Sequence, residues 1–279
     1  MFASATNARI FFAGVADGEP TSDEARFESD HVGELQSLLE IEEPQSGFHC
    51  MCLGSVAVEL LADGARVAVI GLHHGESIRL DGWPSDAPLV DGRPLANWLA
   101  AHGLPELLEE MNDTAKRRTQ GAMARERWQA AMPSGIAVHL DALADFTGGP
   151  RHGLKPDELQ TIVGALLAEY QTPVAACSAL LRWFGAGEGP WSGYPSYEGL
   201  AEVLLLHMRS ELVAASLEFG DDDVALGAAR YFAGWTLSQT RPEDVGLLND
   251  EARERLLECA RRTGIDDNLQ RLSFALERG

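Results

Sequence analysis

The residues best suited to chemistry fall into two short segments. Phe48-His49-Cys50-Met51-Cys52-Leu53-Gly54 and Leu72-His73-His74-Gly75 hold half of the four cysteines and three of the eight histidines of the chain. Thiolates and neutral imidazoles are good zinc ligands, and three protein ligands with water in the fourth position make a catalytic type of site. Cys50, Cys52 and His73 are the candidate set, and zinc is the cofactor it would take. The same side chains allow a second chemistry, in which His73 lowers the Cys52 thiol pKa, accepts its proton and leaves a nucleophilic thiolate. The plain alternative, and the default expectation, is packing, because an isolated cysteine behaves as a small apolar group and is commonly buried. The Cys-x-Cys spacing lacks the two-residue gap frequent among zinc ligands. On an extended strand it would hold the sulfurs about 6–7 Å apart, at a rise of about 3.3 Å per residue. The strand must bend to close a metal site.

A β-hairpin is what would bring the two segments together. Asp63-Gly64 stands between the β-prone runs Val56–Leu61 and Arg66–Ile70. Asp-Gly suits a type I′ turn, which needs positive φ at both central residues. Taken as the two-residue loop, it sets Leu60 opposite Val67, Val58 opposite Val69, Val56 opposite Gly71 and Gly54 opposite His73. Side chains alternate faces along a strand, so Cys50, Cys52 and His73 share a face with Val56, Val58, Val67 and Val69. His49, Met51 and His74 fall on the other face. A bulge near Gly54-Ser55 would reverse that parity.

Around the hairpin the first half of the chain reads as mixed. Arg9–Val15 is a short β-prone run, Asp30 caps a helix running to Glu40, and strands are expected over 48–53, 56–62, 67–73 and 77–80. Arg79, beside Glu76 and Asp81, is expected to be ion-paired. A turn-rich loop over 79–92 leads to a helix opened by Pro94. A second helix, Pro105 to Trp128, carries Lys116-Arg117-Arg118, Arg125 and Arg127. Phe146–Gly153 reads as a linker, and the sequence beyond it is helical throughout. The fold class is therefore α+β. An α+β domain with a small antiparallel sheet and packed helices (1–147) precedes an all-α domain (154–279) built as a helical bundle or HEAT-like stack.

One loop in the helical half stands out, Gly185 to Glu198, where Trp191, Tyr194 and Tyr197 are candidates for binding a partner or ligand. Trp and Tyr combine apolar area with a polar tip and are enriched in binding hot spots. Composition narrows the partner. Acidic residues number 43 against 22 basic ones, for a net charge of -21. Such a surface repels phosphate backbones and anionic membranes, and it favours approach to a basic protein. No apolar run is long enough to span a bilayer, no basic segment precedes an apolar core at the N-terminus, and four cysteines in this length make no disulfide framework. These features point to a cytoplasmic protein-interaction module, such as an inhibitor or immunity-type binder of a basic partner. The alternative is a metal- or thiol-dependent hydrolase built on Cys50, Cys52 and His73.

Overall fold

The computed structural model describes residues 2–43, 49–139 and 155–278. The chain divides into two compact units, Met1–Thr119 and Gln120–Gly279. The division falls within a long helix. The linker expected over 146–153 lies outside the described residues.

The first unit is built on an antiparallel sheet. Its strands are β1 (Asn7–Phe11), β4 (Phe27–Ser29), β5 (Val56–Ala62), β6 (Ala65–His73), β7 (Ser77–Leu80) and β8 (Ala87–Pro88). They lie in the order β4-β1-β5-β6-β7-β8, and a separate two-stranded ribbon pairs β2 (Val15–Ala16) with β3 (Glu19–Pro20). Helices α1 (Val32–Leu38) and α2 (Arg93–Ala101) are followed by α3 (Glu106–Ala130). One sheet face carries Ile10, Val56, Val58, Leu60, Ile70, Leu72 and Ile78, packed with Leu35, Leu95, Trp98 and Leu99. The other carries Phe11, Ala57 and Val69. Glu59 is buried on that second face, paired with Arg9 at 3.1 Å and with Arg66.

The turn at Asp63-Gly64 forms as expected, with φ of 50° and 81°. The register beyond it does not. Leu60 pairs with Ala68, Val58 with Ile70 and Val56 with Leu72, because the ladder shifts between Leu60 and Leu61. A bulge of one residue exchanges the partner face. His73 consequently sits with Ala57, Glu59 and Val69, and Val56 and Val58 belong to the opposite face. The strand expected over 48–53 is also absent. Residues 49–55 form an irregular segment entering β5, and Phe48 lies outside the described residues.

The second unit is helical among its described residues: α4 (Ser134–Ala137), α5 (Pro156–Glu169), α6 (Pro173–Gly185), α7 (Gly199–His207), α8 (Ser210–Phe219), α9 (Asp222–Phe232), α10 (Trp235–Thr240), α11 (Asp250–Arg262) and α12 (Asp266–Arg278). Asp221 and Asn249 cap α9 and α11 by accepting from the backbone N–H three residues on. The helical run is broken between Phe232 and Trp235. Trp183 stacks on Trp128 with ring centroids 4.2 Å apart and donates to the Trp128 carbonyl.

Helices α6 and α9 approach most closely at Gly227, where an added Cβ would lie 1.8 Å from the Leu181 carbonyl oxygen. The obstacle is backbone, so relief requires the helices to part. Gly227→Ala is expected to destabilise by about 1–3 kcal/mol, the usual range for overpacking. Urea unfolding would show this as a lower midpoint at unchanged slope.

Candidate functional site

The irregular segment 49–55 is held by one ion pair. Asp86 is almost fully buried, and its carboxylate accepts from the Cys50 backbone N–H at 2.8 Å and bonds His49 Nδ1 at 2.8 Å. Arg79 donates to the same carboxylate through Nε at 2.6 Å and Nη2 at 2.8 Å. Its guanidinium also reaches the Cys50 carbonyl at 2.6 Å and the Cys52 carbonyl at 3.4 Å. The pair thus fixes the backbone on both sides of Met51 and leaves the two half-buried thiols side by side. Burial opposes charge on Asp86, but its bonds from Arg79, the Cys50 N–H and His49 outweigh that and hold the carboxyl well below the usual range. Gly54 completes the bend. Its φ of 86° suits glycine, and a Cβ there would stand 2.7 Å from the Leu72 carbonyl oxygen.

This local geometry brings the sulfurs of Cys50 and Cys52 to 3.1 Å, far closer than an extended strand allows. His73, at the end of β6, places Nδ1 3.1 Å from Cys52 Sγ. The three donor atoms lie within 4.8 Å of one another. For zinc, with bonds of about 2.3 Å to sulfur and 2.0–2.1 Å to nitrogen, the edges of a tetrahedron are about 3.5–3.8 Å. Two of the three pairs are tighter than those edges, and the third, Cys50 Sγ with His73 Nδ1, is wider but within 4.8 Å. The donor set fits the ion once Cys50 and His73 draw together around it. His73 is buried, and burial pushes its pKa down and keeps the imidazole neutral, the form that ligates. Its Nε2 has no hydrogen-bond partner among the described residues.

The expectation that His74 stands apart on the opposite face does not hold. Its φ of 56° departs from strand geometry, and the ring swings to set Nε2 3.3 Å from Cys52 Sγ and 3.6 Å from Cys50 Sγ. Nδ1 is bonded to Glu110 Oε1 of α3 at 2.8 Å. The bonds to Glu110 and to Cys50 raise the His74 pKa. His49 is engaged instead with Asp86.

The two thiols are unequal. Bonding from the Cys52 side chain and backbone, and then from His74, lowers Cys50 to about 7. Burial and the neighbouring Cys50 push Cys52 up. The pair titrates as a unit, and its first proton leaves from Cys50. In metal-free protein, alkylation by iodoacetamide should therefore rise through a midpoint near pH 7 and mark Cys50, with Cys52 reacting only at higher pH. Peptide mapping of the alkylated chain checks this. Equal labelling of both thiols with a midpoint near that of free cysteine, about 8.5, would contradict it.

Sequence reasoning placed Cys50, Cys52 and His73 together but missed Asp86 and Glu110; Arg79 is ion-paired as expected, and its partner is Asp86. The aromatic loop of the second unit is more enclosed than its composition suggests. Trp191 is buried, Tyr194 bonds through its hydroxyl to Glu202, and Tyr197 packs edge-on to Trp128 with Arg125 over its ring. The basic stretch is partly neutralised within each unit, Arg118 by Glu76 and Arg127 by Glu188.

The chain has no match among known protein-family models, curated proteins or solved structures. Its chemistry must be read from its own residues. No helix among the described residues is long and apolar enough to cross a membrane.

Proposed function

We propose that the first unit is a zinc-binding module whose ion is held by Cys50, Cys52 and His73. In this reading the metal fastens the 49–55 segment to the sheet of a protein that works by binding another protein. The observation that carries it is the convergence of two sulfurs and one buried imidazole nitrogen, with Cys52 Sγ 3.1 Å from both Cys50 Sγ and His73 Nδ1 and all three donors within 4.8 Å of one another. A segment tied to neighbouring strands by only the Ser55 N–H to the Leu72 carbonyl and the Val15 N–H to the Leu53 carbonyl is the kind of element that a structural metal orders, because the binding free energy becomes folding free energy.

The partner is a protein with a basic surface, a reading supported by the net charge of -21 through long-range attraction. The helical unit, as a bundle or HEAT-like stack, would offer the docking face, with Tyr197 as the more accessible aromatic of the Trp191–Tyr194–Tyr197 loop. Hydrogen exchange on the full chain tests the structural role. Amides from Met51 to Gly54 should be protected with zinc and exchange quickly after chelation, while those of β5 stay protected throughout. Identical exchange with and without zinc would oppose the reading. Capture of a basic partner that is lost at high salt tests the binding role.

One observation favours a second reading, a thiol-dependent hydrolase. Cys50 has a pKa near 7, His74 Nε2 lies 3.6 Å from its sulfur, and Glu110 stands behind His74. That is the order of nucleophile, base and orienting group. Ester or thioester turnover that survives chelation and disappears in Cys50→Ser would establish it.

A further inference from the structure

We infer that His74 is the fourth ligand of this metal centre, oriented by Glu110, so that the ion closes a Cys2His2 set and ties the end of β6 to α3. The inference rests on the zinc reading above and extends it. Three observations carry it. First, His74 Nε2 contacts both sulfurs, at 3.3 and 3.6 Å, close to the sulfur–nitrogen edge of a tetrahedron. It lies outside the group of Cys50, Cys52 and His73 whose donors are all within 4.8 Å, so binding the ion must draw the two imidazoles together across the sulfurs. Second, the other ring nitrogen is already committed. Nδ1–H donates to Glu110 Oε1 at 2.8 Å, which fixes the tautomer and leaves the Nε2 lone pair directed at the sulfurs. A carboxylate behind a ligating histidine is the usual outer support of a metal site.

Third, the backbone is arranged for it. Successive strand residues point to opposite faces, so adjacent histidines reach one site only where strand geometry is broken. The break is His74 itself, a non-glycine residue at φ 56°, followed by Gly75 at 68°. Such a conformation is strained and persists where its surroundings hold it. Here a Cβ on Gly75 would lie 2.5 Å from Met111 Sδ of α3, and a Cβ on Gly92 would lie 1.7 Å from the Gly75 carbonyl oxygen. With four protein donors the set leaves no position for a reactive water, which is the pattern of structural rather than catalytic zinc.

Cobalt(II) titration into the metal-free full chain tests this, since cobalt reports its coordination by visible absorption. The wild type should take up one equivalent with the intense d–d bands of a tetrahedral site. Glu110→Gln should keep those bands and weaken affinity roughly 10–100-fold. His74→Ala should bind more weakly still and show the bands of a site opened to water. Wild-type spectra and affinity in both variants would overturn the assignment of His74 while leaving the Cys50/Cys52/His73 centre standing. No cobalt uptake by the wild type, or equal uptake by Cys50→Ser/Cys52→Ser, would instead remove the centre itself.

Discussion

Cys50→Ser/Cys52→Ser should lose its metal and, with it, a large part of the stability of the first unit. Zinc present at a thousandfold excess over its Kd stabilises the folded state by about 4 kcal/mol. For a unit of this size that corresponds to roughly 10–25 °C in Tm. Serine nearly preserves the shape of cysteine, and neither thiol is fully buried, so lost packing contributes little. The distinguishing feature is linkage. The wild-type Tm should climb with added zinc and fall on chelation to that of the variant, and the variant should respond to neither. A thermal scan at several zinc concentrations measures both. Equal Tm values for the two chains at every concentration would show that the thiols serve packing alone.

The second large effect belongs to the helical unit. Arg230 and Glu198 are both 1 % exposed and form an ion pair. Arg230 also donates to the Phe184 carbonyl at 2.7 Å and the Gly189 carbonyl at 3.2 Å, with its guanidinium over the rings of Phe184 and Tyr194. The pair ties the end of α6, the loop after it and α9 together, which accounts for the order of the Gly185–Glu198 loop. Removing one partner strands the other charge in the interior, at a cost of about 3–5 kcal/mol. Arg230→Met should therefore lower Tm by roughly 6–20 °C. The double variant Arg230→Met/Glu198→Leu should recover much of that loss, since replacing both members of a buried pair with apolar groups is often near neutral. A double variant as unstable as the sum of the two single ones would mean that the loss comes from packing and not from charge.

What the sequence disclosed follows from whether the cause was local. The Asp63-Gly64 turn was legible because its φ values select those residues. The helix start at Pro94 was legible for a similar reason. The clustering of Cys50, Cys52 and His73 could be read from residue types and a hairpin, even though the register was off by one. The bulge between Leu60 and Leu61 has no residue signature, since both are ordinary strand formers. His74 joined the site through a single left-handed torsion, which strict alternation along a strand could not anticipate.

The supporting groups were hidden for a different reason. Asp86 sits in a turn-rich loop where an acidic residue is unremarkable, and its partner Arg79 has two nearer acids in sequence. Glu110 is 36 residues from His74 on an amphipathic helix dense in carboxylates. Arg230 lies within the run Ala228-Ala229-Arg230-Tyr231-Phe232, where a charged residue in an apolar stretch was the available sign of a buried pair. Its partner Glu198 looked like one more acid in a strongly acidic chain.

The central claim is that Cys50, Cys52 and His73 hold a metal ion, and native mass spectrometry of the intact chain purified without chelator tests it most directly. The account predicts one zinc ion per chain, bound with loss of the thiol protons, and only the metal-free mass for Cys50→Ser/Cys52→Ser. A wild-type chain that stays at the metal-free mass after incubation with zinc, with both thiols open to alkylation, would contradict it.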